Sequence, residues 1–139
     1  MEVEFLHIKL DDLNIEGKMI LKDSYSATPK NVYSKAERSK GKSLKMIKVL
    51  LGSVYEIKFT LDHIKLTKEF VSNLRKKIMK SEINVEFYDD YSKEYKIQNC
   101  YCQDTETKIR FMKKDDSKIF YNDIDLIFIA NQSADWINN

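Results

Sequence analysis

From Val54 to Leu61 the chain alternates without a break, with Tyr55, Ile57, Phe59 and Leu61 on one side and Glu56, Lys58, Thr60 and Asp62 on the other. A period of two is the signature of a strand with one buried and one wet face. Just before it, Leu44, Met46, Ile47, Val49, Leu50 and Leu51 form an apolar run that stops at Gly52 and Ser53. Gly at the first of two central residues suits a tight hairpin turn, so the two runs predict a β-hairpin.

The same reading applied elsewhere gives further strands. Val3, Phe5 and His7 alternate with Glu4, Leu6 and Ile8 up to Leu10, and the polar Asp11, Asp12 and Asn14 then predict a turn. After Gly17, the residues Met19, Ile20 and Leu21 predict a short second strand over Lys18 to Lys22. Pro29 cannot donate a ladder hydrogen bond and biases Thr28 toward extended geometry, so this region reads as an edge or a loop. Ile83, Val85 and Phe87 alternate with Asn84, Glu86 and Tyr88. Asp89 to Ser92 turns the chain, and Tyr95, Ile97, Asn99 and Tyr101 return as the partner strand. Lys108 to Met112 and Ile119 to Ile129 predict a third pair, whose last strand is apolar enough to be a central one.

One segment carries the helical period. Phe70, Val71, Leu74 and Ile78 fall within about a 100° arc at the rotation of an α-helix, which predicts an amphipathic helix over residues 67–80. Thr67 is its expected amino-terminal cap, and Arg75, Lys76, Lys77 and Lys80 suit the negative end of the helix dipole. Seven to eight strands around one helix predict a mainly β (α+β) fold, an antiparallel β-sandwich or partly closed barrel. A single domain over residues 1–130 is expected, with an extended loop at about 24–43 and a polar tail over 131–139 in which Trp136 and Ile137 are the apolar exceptions.

Composition sharpens this picture in few places. Apolar residues at 42% and eight Tyr, seven Phe and one Trp in 139 residues favour a folded domain despite 33% charge. Three Gly and one Pro leave turns to Asn, Asp and Ser and argue against glycine-rich phosphate loops. No run approaches a membrane-spanning length, and the opening Met1, Glu2, Val3, Glu4 lacks the pattern of an export signal. The net charge of +2 conceals unevenness: between Lys30 and Lys48 the basic residues Lys30, Lys35, Arg38, Lys40, Lys42, Lys45 and Lys48 face only Glu37. Such a stretch is too polar to be core and is the best candidate for a working surface.

Candidate chemistries fare less well. Cys100, Cys102, His7 and His63 would make four zinc ligands, but the single-residue gap between the cysteines is not that of a zinc knuckle. The thiols read as reduced, with no helix start or Gly-flanked turn to expose a nucleophile. The acid pairs Asp11–Asp12, Asp89–Asp90 and Asp115–Asp116 all fall in predicted turns, where Asp supports local backbone hydrogen bonds. No Walker-type, dinucleotide-binding or serine-elbow pattern occurs. The chain is expected to be non-enzymatic and to carry no cofactor or metal.

Tyr25, Tyr33, Lys35, Arg38, Lys40 and Lys42 interleave aromatic and basic residues as single-strand nucleic-acid binders do, which makes a small basic-loop nucleic-acid-binding protein one reading. The same composition suits an intersubunit arm, in which rings supply contact area and charges set register.

The segment Ser34, Lys35, Ala36, Glu37, Arg38, Ser39, Lys40, Gly41, the helix start Leu66, Thr67, Lys68, Glu69, then Val85, Glu86, Phe87 and Tyr101, Cys102 resemble a known family. They look like short proteins encoded in the tail modules of bacteriophages and prophages of Gram-positive bacteria, a likeness over about residues 18–130. The resemblance implies a tail-tube-like β-sandwich with a flanking helix, acting as a virion structural protein of the tube, baseplate or connector that assembles through β-edge and loop contacts with neighbouring subunits. It also implies a homo-oligomeric ring contacting other tail proteins, made in the host cytoplasm and residing in the virion tail, with no membrane association and no nucleic acid beyond DNA in a tail lumen. No catalytic residue is carried over. On this reading Tyr25, Tyr33, Lys35, Glu37, Arg38, Lys40 and Trp136 form the subunit interface, the loop residues becoming ordered only on assembly.

Overall fold

The alternating runs do become strands, although not always with the neighbours their spacing suggests. The computed structural model describes residues 6–33, 37–38, 46–47, 50–114 and 118–132. Among them the elements follow in the order β1 (Ile8–Leu10), β2 (Leu13–Ile15), β3 (Ser26–Tyr33), β4 (Glu37–Arg38), β5 (Met46–Ile47), β6 (Leu50–Leu61) and α1 (Lys68–Ile78). The rest are β7 (Ile83–Asp89), β8 (Glu94–Cys102), β9 (Ile109–Met112), β10 (Ile119–Tyr121) and β11 (Ile124–Ala130). Seven strands form one sheet in the order β2-β1-β7-β8-β11-β6-β3, and β9–β10 and β4–β5 are separate two-stranded ribbons. The fold is mainly β with one α-helix, as expected, and the sheet is open rather than a closed barrel.

The sheet is nevertheless strongly curled. β6 and β7 stand three strand spacings apart, about 14 Å if the sheet were flat, yet the rings of Tyr55 and Phe87 lie 5.1 Å apart. The inner face therefore packs largely against itself. Ser53, Tyr55, Ile57, Phe59 and Leu61 of β6 point inward, as do Ile83, Val85, Phe87 and Asp89 of β7 and Ile124, Leu126, Phe128 and Ala130 of β11. Each large apolar side chain buried here contributes about 1.5–3 kcal/mol. Helix α1 adds Val71 and Leu74 to the same cluster, with Phe70 and Ile78 packed at its margin.

Thr67 caps the helix, its hydroxyl accepting from the Phe70 amide at 3.1 Å. The other end is held by the turn between β1 and β2, where Lys80 pairs with Asp11 at 3.2 Å and Lys77 with Asp12. Asp11 takes positive φ there, and its carboxylate accepts from the Asn84 amide at 3.0 Å. That acceptor role, together with Lys80 and Lys77, holds its carboxyl below the usual carboxylate range against the opposing pull of burial. The Asp11–Asp12 pair thus serves as a turn former.

Several expectations need correction. Gly52 and Ser53 do not turn; they lie inside β6, paired with Val32 and Asn31 of β3. Long-range pairing with Ser26–Tyr33 prevails over the local turn signal, and the glycine instead sits at a register shift, the bulge position where Gly is commonly found in strands. Consequently much of the expected loop over 24–43 is strand β3, an edge strand that accommodates Pro29 as an edge should. Residues 18–22 form no full strand: a 3₁₀ turn over Gly17–Met19 leads to one bridge, Ile20 to Leu61. The stretch from Ile119 to Ile129 is divided at Asn122–Asp123 into β10, which leaves the sheet, and β11, which is internal to it.

β8 does not bury its largest apolar side chains. Tyr95, Ile97, Asn99 and Tyr101 return as the partner strand, as expected, but Cys100 is its buried residue, while Tyr95, Ile97 and Tyr101 are exposed. The turn after Asp89 sets Asp89 opposite Glu94, so Phe87 faces Lys96 and Val85 faces Gln98. Directly opposed residues share a side. The stronger apolar alternation of β7 thereby decides the side for both strands, and a one-residue slip would have inverted it.

Candidate interaction surface

Where the curl closes, the inner layer ends in polar groups. Asp89 is fully buried and accepts from the Tyr55 hydroxyl at 3.0 Å, the Ser92 hydroxyl at 2.8 Å and the Tyr91 amide at 3.2 Å. The Lys96 ammonium, brought inward by the register of β8, lies 3.5 Å away. Burial alone pushes the Asp89 carboxyl up, but these donors and the lysine outweigh it, so the group sits below the usual carboxylate range. Beside it, the Tyr25 hydroxyl donates to the Tyr88 carbonyl, joining the chain just before β3 to β7. Burial raises the Tyr25 phenol well above its ordinary value. This network pins β6 and the segment before β3 to β7 and β8 across the curl.

The outer face of the sheet is different. Tyr95, Ile97 and Tyr101 form a row along β8 that is 39%, 64% and 40% exposed, at the centre of the sheet rather than at its edge. Ile129 lies opposite Tyr101, and Tyr88 lies opposite Tyr95 in edge contact at 5.5 Å. His7 stacks on the Tyr95 ring at 4.4 Å and meets the Glu86 carboxylate at 3.0 Å. Between Ile97 and Tyr101, Asn131 just past β11, Asn99 of β8 and Asn84 of β7 are linked side chain to side chain, at 2.7 Å and 3.2 Å. His7, Glu86 and the three asparagines of this face are paired, while Tyr95, Ile97 and Tyr101 are uncovered.

A second uncovered surface is the β9–β10 ribbon. Every residue of β9 is exposed, with Ile109 at 50%, Phe111 at 57% and Met112 at 47%. Only the β10 side is anchored, through buried Tyr121 and partly buried Ile119 in the core cluster. Phe111 stacks on Phe120 at 4.3 Å, and the Lys118 ammonium lies 5.0 Å from the Phe120 ring. An isolated two-stranded ribbon is marginal in water, so this one depends on its root and on whatever covers its apolar side.

The residues expected to form an interface are only partly brought together. Tyr25 belongs to the body, docked against β7, which corrects its assignment to an arm ordered by assembly: the ring has a burial site within its own chain. Tyr33 closes β3 opposite Leu50, and Glu37 and Arg38 form β4 against Ile47 and Met46. Lys35, Lys40 and Trp136 lie outside the described residues, as do Asp115 and Asp116. Lys30, at the start of the basic stretch, is paired with Glu56 at 3.0 Å. As uncovered surfaces, the outer face of β8 and the ribbon escaped sequence reasoning, although the pairing of β9 with β10 was expected. Counting across the turn from Phe87 to Lys96 would have found the first.

The four residues weighed as zinc ligands do not converge. His7 is on the outer face with Glu86, and His63 is with Asp123 beyond the other end of β8. Both thiols are pushed up by burial, Cys100 to about 12 and Cys102 to about 11, the opposite of nucleophile activation. Asp62, His63 and Asp123 do bring three ligand atoms within 4.8 Å of one another. Their hydrogen bonds already account for them: Asp123 accepts from the His63 amide at 2.8 Å and meets its ring at 2.7 Å, while Asp62 caps the Ile64 amide. The His63 amide is the main cause that lowers the Asp123 carboxyl. The trio fastens a 3₁₀ turn to the start of β11.

The described residues form a curled antiparallel sheet with one α-helix, a buried inner face and two uncovered apolar surfaces. The chain belongs to a family of unknown function, DUF6711, which matches it over residues 1–131. No curated protein matches it, and no solved structure does. No described helix is long and apolar enough to cross a membrane.

Proposed function

We propose that this chain is a non-enzymatic structural subunit of a bacteriophage tail, a tube, baseplate or connector component that assembles by ribbon and sheet-face contacts with neighbouring subunits. The observation that carries the structural-subunit part is the row Tyr95, Ile97 and Tyr101, exposed on a central strand where an ordinary antiparallel sheet turns polar side chains to water. The β9–β10 ribbon, exposed along all of β9, adds to it. The tail setting rests on the resemblance of the Ala36, Glu37, Arg38, Gly41 segment and the order of elements around it.

The test is to purify the full chain with the proteins encoded beside it and to look for stoichiometric complexes by sedimentation and electron microscopy. Rings or particles that contain the chain together with tail proteins are expected. If the chain instead shifts duplex or single-stranded DNA with a steep salt dependence and joins no virion component, the nucleic-acid-binding reading replaces this one. That second reading draws on the exposed Arg75 and Lys76 of α1, although Lys77 and Lys80 beside them are already paired with acids.

A further inference from the structure

After β11 the described chain ends at Gln132, beside a groove of about 650 Å³ between the end of α1 and the end of β8. Arg75, Ile78 and Met79 line one side, Tyr101 lines the other, and Asn131 lies in the groove itself. Asn131 is fixed there. Its amide donates to the Asn99 carbonyl at 2.7 Å, and its side chain reaches the Asn99 side chain at 2.7 Å and the Ser81 carbonyl at 3.4 Å. The apolar lining is open to water, with Met79 at 81% and Tyr101 at 40% exposure. Of the groove's two cations, Lys80 is paired with Asp11. No acid among the described residues, Asp104 of the same groove included, makes an ion pair with Arg75.

We infer that this groove is the docking site of the chain's own segment 133–139, with Trp136 seated between Met79 and Tyr101 and Asp135 meeting Arg75. That segment lies outside the described residues, and its large apolar side chains are Trp136 and Ile137, directly after Asp135. Trp136 stands five residues beyond Asn131, a reach of up to about 17 Å. The indole therefore arrives at Met79 without the chain leaving the groove. Its large apolar area suits the exposed lining, and a thioether against an aromatic ring is a favourable contact. The occupant is this chain's own segment because Asn131 delivers it to the groove. A tether this short holds it there at an effective concentration on the order of millimolar, above that of a partner free in solution. The contact covers the Tyr101 end of the outer row and leaves Tyr95 and Ile97, which do not line the groove, open to neighbours. It stands independently of the structural-subunit reading and places Trp136 on its own body instead of in the subunit interface expected for it.

Trp136 is the only tryptophan of the chain, so its fluorescence reports on the segment directly. Emission and acrylamide quenching are measured on the full chain over a dilution series and compared with the same chain unfolded in guanidinium. Emission at shorter wavelength and weaker quenching than in the unfolded chain are expected, unchanged on dilution. Met79→Glu and Arg75→Glu alter exposed side chains, and circular dichroism verifies that each variant remains folded. Met79→Glu is expected to move emission and quenching to the unfolded values, and Arg75→Glu to move them part of the way. Adding Asp135→Arg to Arg75→Glu should restore them, and Met112→Glu, on the ribbon outside the groove, should leave them unchanged. Wild-type emission already at the unfolded position overturns the docking. Burial that disappears on dilution overturns it in favour of a second copy as the occupant, and burial that survives both Met79→Glu and Arg75→Glu overturns the groove as its place. None of these results touches the structural-subunit reading, which co-assembly with tail proteins decides.

Discussion

The inner and outer faces of the seven-stranded sheet are made by the same strands, yet they meet different physical conditions. Inward, β6, β7 and β11 bring Tyr55, Ile57, Phe59, Val85, Phe87, Leu126 and Phe128 into one cluster, and the polar rim at Asp89 has its donors in place. Outward, the central strand β8 presents Tyr95, Ile97 and Tyr101 to water beside a row of hydrogen-bonded asparagines. The difference follows from curvature and register together. Curling lets one face bury itself, and the Asp89-to-Glu94 turn commits the apolar alternation of β8 to the other. Stability is thus concentrated on one side of the sheet and uncovered contact area on the other.

That contrast can be broken most forcefully from the inside. Phe87→Ala removes a fully buried ring that touches Tyr55 across the curl and is expected to cost about 3–5 kcal/mol in denaturant unfolding. A cost below about 1 kcal/mol, the level of a surface change, would mean that the inner face is not the folding core. Next in size, Asp89→Ala is expected to cost about 3 kcal/mol, because Lys96 then loses its buried carboxylate. The same carboxylate makes the pin acid-sensitive. Its folded pKa lies below the ordinary 3.8, so its contribution is fully present above that value and is lost as pH falls through the folded pKa. Acid unfolding of the wild type should therefore begin below about pH 4, with the acid-dependent part diminished in Asp89→Ala; equal pH profiles for the two proteins would exclude Asp89 as its source.

The smallest effect sharpens the comparison from the outside. Ile97→Ser should change the unfolding free energy of the monomer by no more than about 0.5 kcal/mol, as expected for an exposed site. A loss as large as that of Phe87→Ala would show that the outer face is covered within the monomer.

Local pattern carried a good part of the fold. The β6 alternation, the helix with Thr67 as its cap, the hairpin of β7 and β8, and the internal position of the last strand were all legible, because each depends on residues close in sequence. The helix ends two residues short of the expected Lys80, whose ammonium reaches Asp11 instead. Of the expected interface, Tyr25 became part of the body, since its hydroxyl reaches the Tyr88 carbonyl 63 positions further along the chain, a separation no local pattern relates.

Composition and periodicity by themselves determined a mainly β chain with one amphipathic helix, and which residues of β6, β7 and β11 are apolar enough to be buried. Only the tertiary structure decided that Gly52 stays inside a strand, that β3 is its partner and that Asp89 is a buried acceptor. The reason is that side-chain period is a local property of a strand, whereas partner, register and the side that curls inward are set by free energy summed over strands far apart in sequence.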